Sequence, residues 1–119
     1  LDMKWIDVHT HLNMIENETE NVIRLARENG IDRLVTIGTG ADDHPKVVHY
    51  VNNYAPIVYG TLGFHPHDAK DYTDEGEAYM REHLSNPRIV GVGEIGLDYY
   101  YSHSDHEIQK QVFRKQMNL

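Results

Sequence analysis

The amino-acid sequence predicts an α/β fold in which parallel strands alternate with helices. Four short apolar segments are each followed by a segment that carries apolar residues at helical spacing. Strand followed by helix, repeated four times, is typical of parallel βαβ connections. Seven of the nine histidines lie in or beside the loops that follow the four strands, and this is where parallel α/β folds place their chemistry.

The four predicted strands are apolar runs bounded by residues that interrupt regular structure. Gly38 ends the second strand, Pro56 precedes the third and Pro87 precedes the fourth. The strands are predicted at residues 5–8, 33–37, 57–62 and 89–94.

The four predicted helices are recognised by apolar residues three and four positions apart. Gly30 stands where the first helix would be capped, and Pro45 suits the first turn of the second. The helices are predicted at residues 19–29, 45–54, 75–84 and 107–118. The expected apolar faces comprise Val22, Ile23, Leu25 and Ala26 on the first helix, Val47, Val48 and Val51 on the second, and Ile108, Val112, Phe113 and Met117 on the last.

The composition restricts the class of protein. A length of 119 residues fits one domain with a modest core, so residues 1–119 are expected to belong to a single domain. The absence of cysteine excludes thiolate metal sites and suits a reducing cytoplasm, the predicted location. A net charge of -8 argues against wrapping of long nucleic acid through many phosphate contacts. No apolar run approaches the roughly 20 residues that cross a bilayer, so no membrane span is expected.

The pair His9 and His11 directly follows the first strand and is the first candidate metal site. Side chains at i and i+2 of an extended segment project to the same side, so both imidazoles could reach one ion. The spacing alone is weak evidence, because a chain with this histidine content contains about 0.7 such pairs by chance. Asp7 lies on the same side and is expected to orient a ligand histidine. The alternative is two solvated loop histidines.

Glu94 is the third candidate metal ligand. Val90, Val92 and Glu94 share one face if the segment is extended, so an acid is expected where two valines indicate a buried interior. An unpaired buried carboxylate would cost several kcal/mol, and a cation beside it would remove that cost. The alternative is a carboxylate at the strand exit that is solvated or paired with Lys or Arg.

A second pair, His65 and His67, flanks Pro66 after the third strand. Proline keeps His65 extended and removes a backbone donor, so the turn fixes the direction of its side chains. The pair could bind a phosphate or a leaving group, or form a rigid turn with two exposed imidazoles. Asp98 is expected either to hydrogen-bond a ligand or to cap the loop that follows it.

The remaining aromatic and histidine residues of the loops have less specific patterns. The three tyrosines at residues 99–101 could form an aromatic wall for nucleobases or pack their own loop. His44, His103 and His106 are expected at turns or helix caps. The sequence contains no phosphate-binding Gly-x-x-x-x-Gly-Lys-Ser/Thr loop, no Gly-x-Ser-x-Gly elbow and no cysteine nucleophile.

Three ordered segments carry the most specific pattern. They are Ile6-Asp7-Val8-His9-Thr10-His11-Leu12, Gly63-Phe64-His65-Pro66-His67 and Gly93-Glu94-Ile95-Gly96-Leu97-Asp98-Tyr99. In order and spacing they resemble the N-terminal half of the TatD family of metal-dependent hydrolases. The segment from Gln109 to Leu119 is similar to the helix after the family's glutamate motif. The resemblance implies a (β/α)8 TIM barrel of the amidohydrolase type, of which this chain would supply about the first four βα units.

The resemblance also implies deoxyribonuclease activity with one or two divalent ions, either Mg²⁺, Mn²⁺ or Zn²⁺. His9 and His11 would bind one ion, and Glu94, the expected catalytic residue, would bridge it to a second. His65 and His67 would bind substrate. In the family, two histidines and an aspartate from the second half complete the cluster. The chain is therefore expected to need that half of the barrel or to self-associate.

The expected substrate is DNA, as ends or short strands, because an acidic chain disfavours long nucleic acid. One alternative is an ester or amide hydrolase on the same metal scaffold, as in the wider amidohydrolase group. Another is a noncatalytic binding module that keeps the rim of the barrel without the complete set of ligands.

Overall fold

The computed structural model describes residues 3–119, which form a parallel sheet and the helices that connect its strands. The strands are β1 (Trp5–Thr10), β2 (Ile31–Ile37), β3 (Val58–Leu62) and β4 (Ile89–Val92). The helices are α1 (Thr19–Glu28), α2 (His44–Asn53), α3 (Asp74–His83) and α4 (His106–Met117). Two 3₁₀ helices, Leu12–Met14 and Pro66–Asp71, lie in the loops after β1 and β3.

The strands lie side by side in their chain order, β1-β2-β3-β4, and every neighbouring pair is parallel. Parallel neighbours require a crossover, and a helix supplies each of the three. The α/β class predicted from the alternation of strands and helices is therefore confirmed. None of the helices in residues 3–119 has the length and apolar composition that a membrane span needs.

The core lies between the sheet and its helices. Val58 and Leu62 of β3 are fully buried, as are Val47 and Val51 of α2. Gly60 lies between them on β3, where an added Cβ would stand 2.5 Å from Cγ1 of Val47 and 3.0 Å from Cγ1 of Val51. Glycine at this position therefore allows α2 to approach the sheet closely.

The sheet face that carries Val90 and Val92 was expected to be buried, but the described chain leaves it uncovered. Ile89 packs into the helix-covered core, and alternation along the strand directs Val90 to the other side of the sheet. Val90 is 55% exposed there, and Val92 is only partly buried. Residues 3–119 alone therefore do not bury this face, because their helices cover the opposite side of the sheet.

The predicted apolar face of α4 was wrong at two of its four positions. Ile108 is partly exposed and Met117 is 57% exposed, whereas Gln109, Val112 and Gln116 are buried. The helix is turned so that two amide side chains reach the backbone of the loops beside it. On this helix, the hydrogen bonds of the two amide side chains decide which side is buried, and the apolar spacing does not.

The apolar face of α1 was predicted correctly at three of its four positions. Ile23 is buried and Val22 and Ala26 pack against the core, but Leu25 is 45% exposed. The buried face of α1 is thus one residue narrower than the predicted face.

Candidate metal centre

The site residues lie where the carboxyl ends of the strands meet. β1 extends two residues beyond its predicted end, so His9 belongs to the strand, whereas β4 stops at Val92 and Glu94 follows it. Past β4 the backbone reaches the exit of β2, where Glu94 N donates to Gly38 O at 2.7 Å. The carboxylate is therefore carried by backbone that is bonded to the end of β2.

Close backbone contact at Gly63 brings the exits of β3 and β4 together. A Cβ at Gly63 would stand 2.6 Å from the carbonyl carbon of Gly93, a distance that no side chain tolerates. Gly93 N also donates to Leu62 O at 3.0 Å. The loop that carries His65 and the segment that carries Glu94 are thus adjacent.

The structure brings His9, His11 and Glu94 into one cluster. One potential ligand atom from each residue lies within 4.8 Å of those of the other two. Nε2 of His9 is 3.6 Å from Oε2 of Glu94, and the two imidazole centroids are 5.2 Å apart. Two imidazoles and one carboxylate are a donor set typical of Zn²⁺ and Mn²⁺ sites.

The hydrogen bond of His11 fits the role of a metal ligand. Its Nδ1 lies 3.2 Å from Ile37 O. A carbonyl oxygen only accepts, so Nδ1 carries the proton and Nε2 of the neutral ring keeps a free lone pair. Histidines that bind metals commonly donate their other ring N–H to such a carbonyl. The chemistry of the cluster therefore fits a divalent ion.

Asp7 acts on the backbone rather than on an imidazole ring. Its Oδ1 accepts from His9 N at 3.0 Å, a local i to i+2 bond that aspartate forms readily. Asp7 was expected to orient a ligand histidine, and its observed bond is to the main chain from which the His9 side chain projects. The orienting role stays a prediction.

His65 presents a hydrogen-bond donor to the cluster. Its Nδ1 accepts from His67 N at 3.0 Å, so the proton of the neutral ring lies on Nε2. That Nε2 is 3.5 Å from Oε1 of Glu94. A donor in this orientation suits contact with an anionic oxygen and does not suit metal coordination through Nε2.

His67 is joined to Asp98, which also caps the loop that follows it, one of the two roles expected for this carboxylate. Nε2 of His67 donates to Oδ2 of Asp98. Oδ1 of Asp98 accepts from Tyr100 N at 2.9 Å and Tyr101 N at 3.3 Å, which caps the following loop. The bond from His67, followed by the two backbone bonds, outweighs partial burial and lowers the pKa of Asp98. The carboxylate therefore stays charged and holds the His67 ring.

His44 opens α2, as a turn or cap residue would, but it is a core residue. The ring is buried, and its Nε2 donates to Gly63 O at 2.8 Å. Burial lowers the pKa of His44, while the backbone bond to Gly63 opposes this effect. His44 thus supports the backbone next to Phe64 and lies outside the cluster.

Two adjoining cavities lie beside the cluster. One, of about 330 Å³, is lined by His11, Met14, Thr39, His65, His67, Asp68 and Glu94. A second, of about 510 Å³, shares Met14, Thr39 and Asp68 with the first. The second also contains Asp42, Asp43 and Asp71, with Lys46 as the cation of its lining. The neighbourhood of the cluster is consequently acidic on this side.

The three tyrosines lie at the surface, and one of them, Tyr101, is next to His67. Tyr99 is 47% exposed, Tyr100 86% and Tyr101 63%. The Tyr101 ring lies 5.6 Å from that of His67, edge to face. Tyr100 contributes little to the packing of its own loop at this exposure.

Sequence reasoning missed the buried polar residues that hold these loops, chiefly Gln109 and Gln116. A signal was present, because residues seven apart lie on the same side of a helix, with Val112 between them. Glutamine is a good helix former on any surface, however, so this spacing alone did not mark a buried role.

The described residues thus form a parallel βα array with histidines at one strand exit and a glutamate beyond another, a set that fits a divalent ion. A family model described as TatD related DNase matches residues 6–119. The chain belongs to this family.

Curated relatives cover nearly all of the chain. The uncharacterized metal-dependent hydrolase YabD of Bacillus subtilis is 36% identical over 115 residues, which are 95% of this chain and 45% of that protein. The 3'-5' ssDNA/RNA exonuclease TatD of Cronobacter turicensis is 31% identical over 107 residues, 90% of this chain and 40% of that protein. The chain thus spans less than half the length of these relatives.

Solved structures show the same fold. The TatD homologue YJJV of Escherichia coli has a TM-score of 0.85 at 24% identity, over 99% of this chain and 47% of its own. A TatD family hydrolase of Entamoeba histolytica has a TM-score of 0.77 at 23% identity, over 96% and 44%. The described elements are therefore four βα units of a (β/α)8 TIM barrel, as predicted.

Proposed function

We propose that residues 1–119 are the N-terminal half of a single barrel domain, and that the complete barrel is a TatD-type deoxyribonuclease. The observation that carries the proposal is the convergence of His9, His11 and Glu94 within 4.8 Å. The second half of the barrel would supply further ligands and close the sheet. A cytoplasmic location remains a prediction.

The chain's own residues have distinct parts in this proposal. His9, His11 and Glu94 would hold a divalent ion, one of the one or two expected, which acts as a Lewis acid on the phosphodiester and activates water. Zn²⁺ and Mn²⁺ suit two imidazoles better than Mg²⁺ does. The Nε2–H of His65 would donate to a phosphate oxygen or to the leaving group.

The charge around the cluster favours short or terminal substrates. The acidic cavity beside the site and the net charge of -8 both repel a long polyanion. A DNA end or a short strand needs only local contacts at the metal ion and at His65 and His67. The names of several relatives, as single-stranded DNA and RNA exonucleases, support a nucleic acid substrate.

The experiment uses the complete protein that carries this chain, loaded in turn with Mn²⁺, Zn²⁺ and Mg²⁺. A labelled single-stranded oligonucleotide and a carboxylic ester reporter are assayed side by side. We expect cleavage of the oligonucleotide, loss of cleavage and of bound metal in Glu94→Gln, and neither loss in Glu82→Gln, whose side chain is exposed on α3.

Each alternative has its own outcome in this experiment. Hydrolysis of the ester alone would assign the scaffold to an ester or amide hydrolase. If the unchanged protein hydrolysed neither reporter and Glu94→Gln left the metal content unchanged, the chain would belong to a noncatalytic binding module, and the nuclease proposal would be wrong.

A further inference from the structure

Three buried polar side chains come from α4 and the loop before it. They are Ser104, Gln109 and Gln116, each at most 2% exposed. Buried polar groups need hydrogen-bond partners, and the identity of the partners shows what the groups hold. All three bond to backbone in the two loops that carry His65, His67 and Asp98.

Gln116 is paired with the peptide groups of Phe64. Its Oε1 accepts from Phe64 N at 2.6 Å, and its Nε2 donates to Phe64 O at 3.2 Å. The side-chain amide thus satisfies both backbone groups of one residue. His65 follows directly, so this pair fixes the main chain from which the His65 ring projects towards Glu94.

Gln109 does the same for Asp98. Its Oε1 accepts from Asp98 N at 2.7 Å, and its Nε2 donates to Asp98 O at 2.8 Å and to Ser104 O at 2.9 Å. The carboxylate of Asp98 in turn accepts from the His67 ring. Gln109 therefore acts on His67 through one intervening residue.

Ser104 closes the network from the other side of the turn. Its Oγ donates to His67 O at 2.8 Å and accepts from Lys70 N at 3.1 Å. His67 is consequently held both at its ring, through Asp98, and at its carbonyl. The turn between the two histidines is fixed at each end by contacts with α4 or with the loop before it.

We propose that Gln109 and Gln116 are positioning residues for the two substrate-facing histidines. Gln116 sets the direction of His65 through Phe64, and Gln109 sets that of His67 through Asp98. The inference rests on the proposed function, in which these histidines contact substrate. Because the two glutamines lie seven residues apart on one helix, α4 fixes the positions of both loops relative to each other.

The test compares Gln116→Glu and Gln109→Glu with Gln111→Glu in the complete protein. Glutamate keeps the shape and the acceptor of glutamine but loses the N–H donors when ionised. Gln111 is exposed on the same helix, so its variant adds the same charge without touching either loop. Metal content, kcat and KM are measured well below the unfolding temperature of each variant.

We expect the two buried variants to retain the metal content of the unchanged protein, because neither contacts His9, His11 or Glu94. Their kcat should fall about tenfold or more, since small displacements of a reacting group are costly. Gln111→Glu should match the unchanged protein. If the glutamates prevent folding, Gln116→Met and Gln109→Met, which are similar in size and uncharged, replace them.

Combining the Gln116 and His65 variants in one protein separates a positioning role from a general loss of structure. If Gln116 acts through His65, Gln116→Glu should cause little further loss of kcat in a His65→Ala background. An equal fractional loss in both backgrounds would overturn the proposal, as would an unchanged kcat or a parallel loss of metal.

Imidazole ring signals in NMR spectra provide a readout independent of activity. Gln116→Glu should shift the His65 ring signals and Gln109→Glu those of His67, with the exposed His49 unchanged. Unchanged ring signals of His65 and His67 would overturn this inference but not the proposed function. An unchanged protein that hydrolyses neither reporter would overturn the proposed function, and the ring signals would still decide the role of the glutamines.

Discussion

The two histidine pairs have the same spacing in the sequence but differ in how the molecule holds them. His9 lies on β1, an edge strand of the sheet, and its side chain is 55% exposed. His65 and His67 lie in a turn that is held by the buried side chains of Gln116 and Ser104 and by the carboxylate of Asp98. The comparison shows that a motif specifies the chemical groups, whereas their rigidity comes from distant residues that the motif does not contain.

The open pair, His9 and His11, is held in the described chain by one local bond, from His9 N to Asp7, and by the bond of the His11 ring to Ile37 O at the end of β2. Besides these two bonds, Leu12 N donates to Oγ1 of Thr36 at 3.2 Å. The bond from Leu12 N to Thr36 holds the exit of β1 against β2. The side chains of Ile6 and Val8 remain 59% and 68% exposed, so this region has little packing of its own.

The largest expected difference between the regions is in stability. Phe64 is 1% exposed, so Phe64→Ala should lower the free energy of unfolding by about 3–5 kcal/mol. Val8→Ala in the same 119-residue chain should cost about 0.5 kcal/mol or less, as exposed substitutions do. Urea unfolding of both variants measures the difference. Equal costs would show that β1 is packed in solution and would remove the contrast.

Metal binding tests the open pair directly. We expect His11→Ala to weaken Zn²⁺ binding at least about 100-fold, since even indirect partners of ligands change affinity by 10–100-fold. His49→Ala, an exposed histidine of α2, is the matched control and should bind as the unchanged chain does. Calorimetric titration of the 119-residue chain gives both values. Equal affinity in the two variants would contradict the ligand assignment.

Acid should weaken the buried region through His44. Its pKa is lowered in the folded state, so the unfolded chain binds the proton more readily. The full contribution of His44 to the free energy of unfolding is present above pH 6.5. It decreases as the pH falls below that value, with a slope of at most about 1.4 kcal/mol per pH unit. Urea unfolding between pH 7.5 and 5 should show a shallower decline in His44→Gln than in the unchanged chain. Parallel declines would exclude His44 as the source.

The smallest expected effect is on the surface of α1. Arg24 and Glu28 form an i,i+4 pair at 2.9 Å with both side chains exposed. Glu28→Gln should cost about 0.5 kcal/mol or less, because solvent screens such pairs. The cost should vanish in 1 M NaCl. A larger, salt-resistant loss would mean that α1 is more tightly packed than its exposure indicates.

Most of the fold was predictable because hydrophobic periodicity and Gly or Pro boundaries act locally. They located every described strand and α-helix to within two residues at each end. The faces were less predictable. Val90 and Met117 are apolar residues that the described chain leaves exposed, while Gln109 and Gln116 are buried. Periodicity reports which residues are apolar, but not whether a covering element is present or whether a buried backbone needs an amide.

The candidate site was predictable as a set of chemical groups, because parallel strands bring their carboxyl ends to one edge. His9, His11 and Glu94 come together as expected from that rule. The bond of Asp7 to backbone and the proton position on His65 depend on side-chain geometry that spacing does not encode. Their roles as ligands and substrate contacts remain predictions for the experiments above.

The order of the strands determines how this chain would meet the rest of a barrel. Because β1 to β4 follow one another without interruption, no strand of a second half has to insert between them. The two outer strands, β1 and β4, would therefore each gain one partner strand, and a complete barrel would have its seams at these two strands.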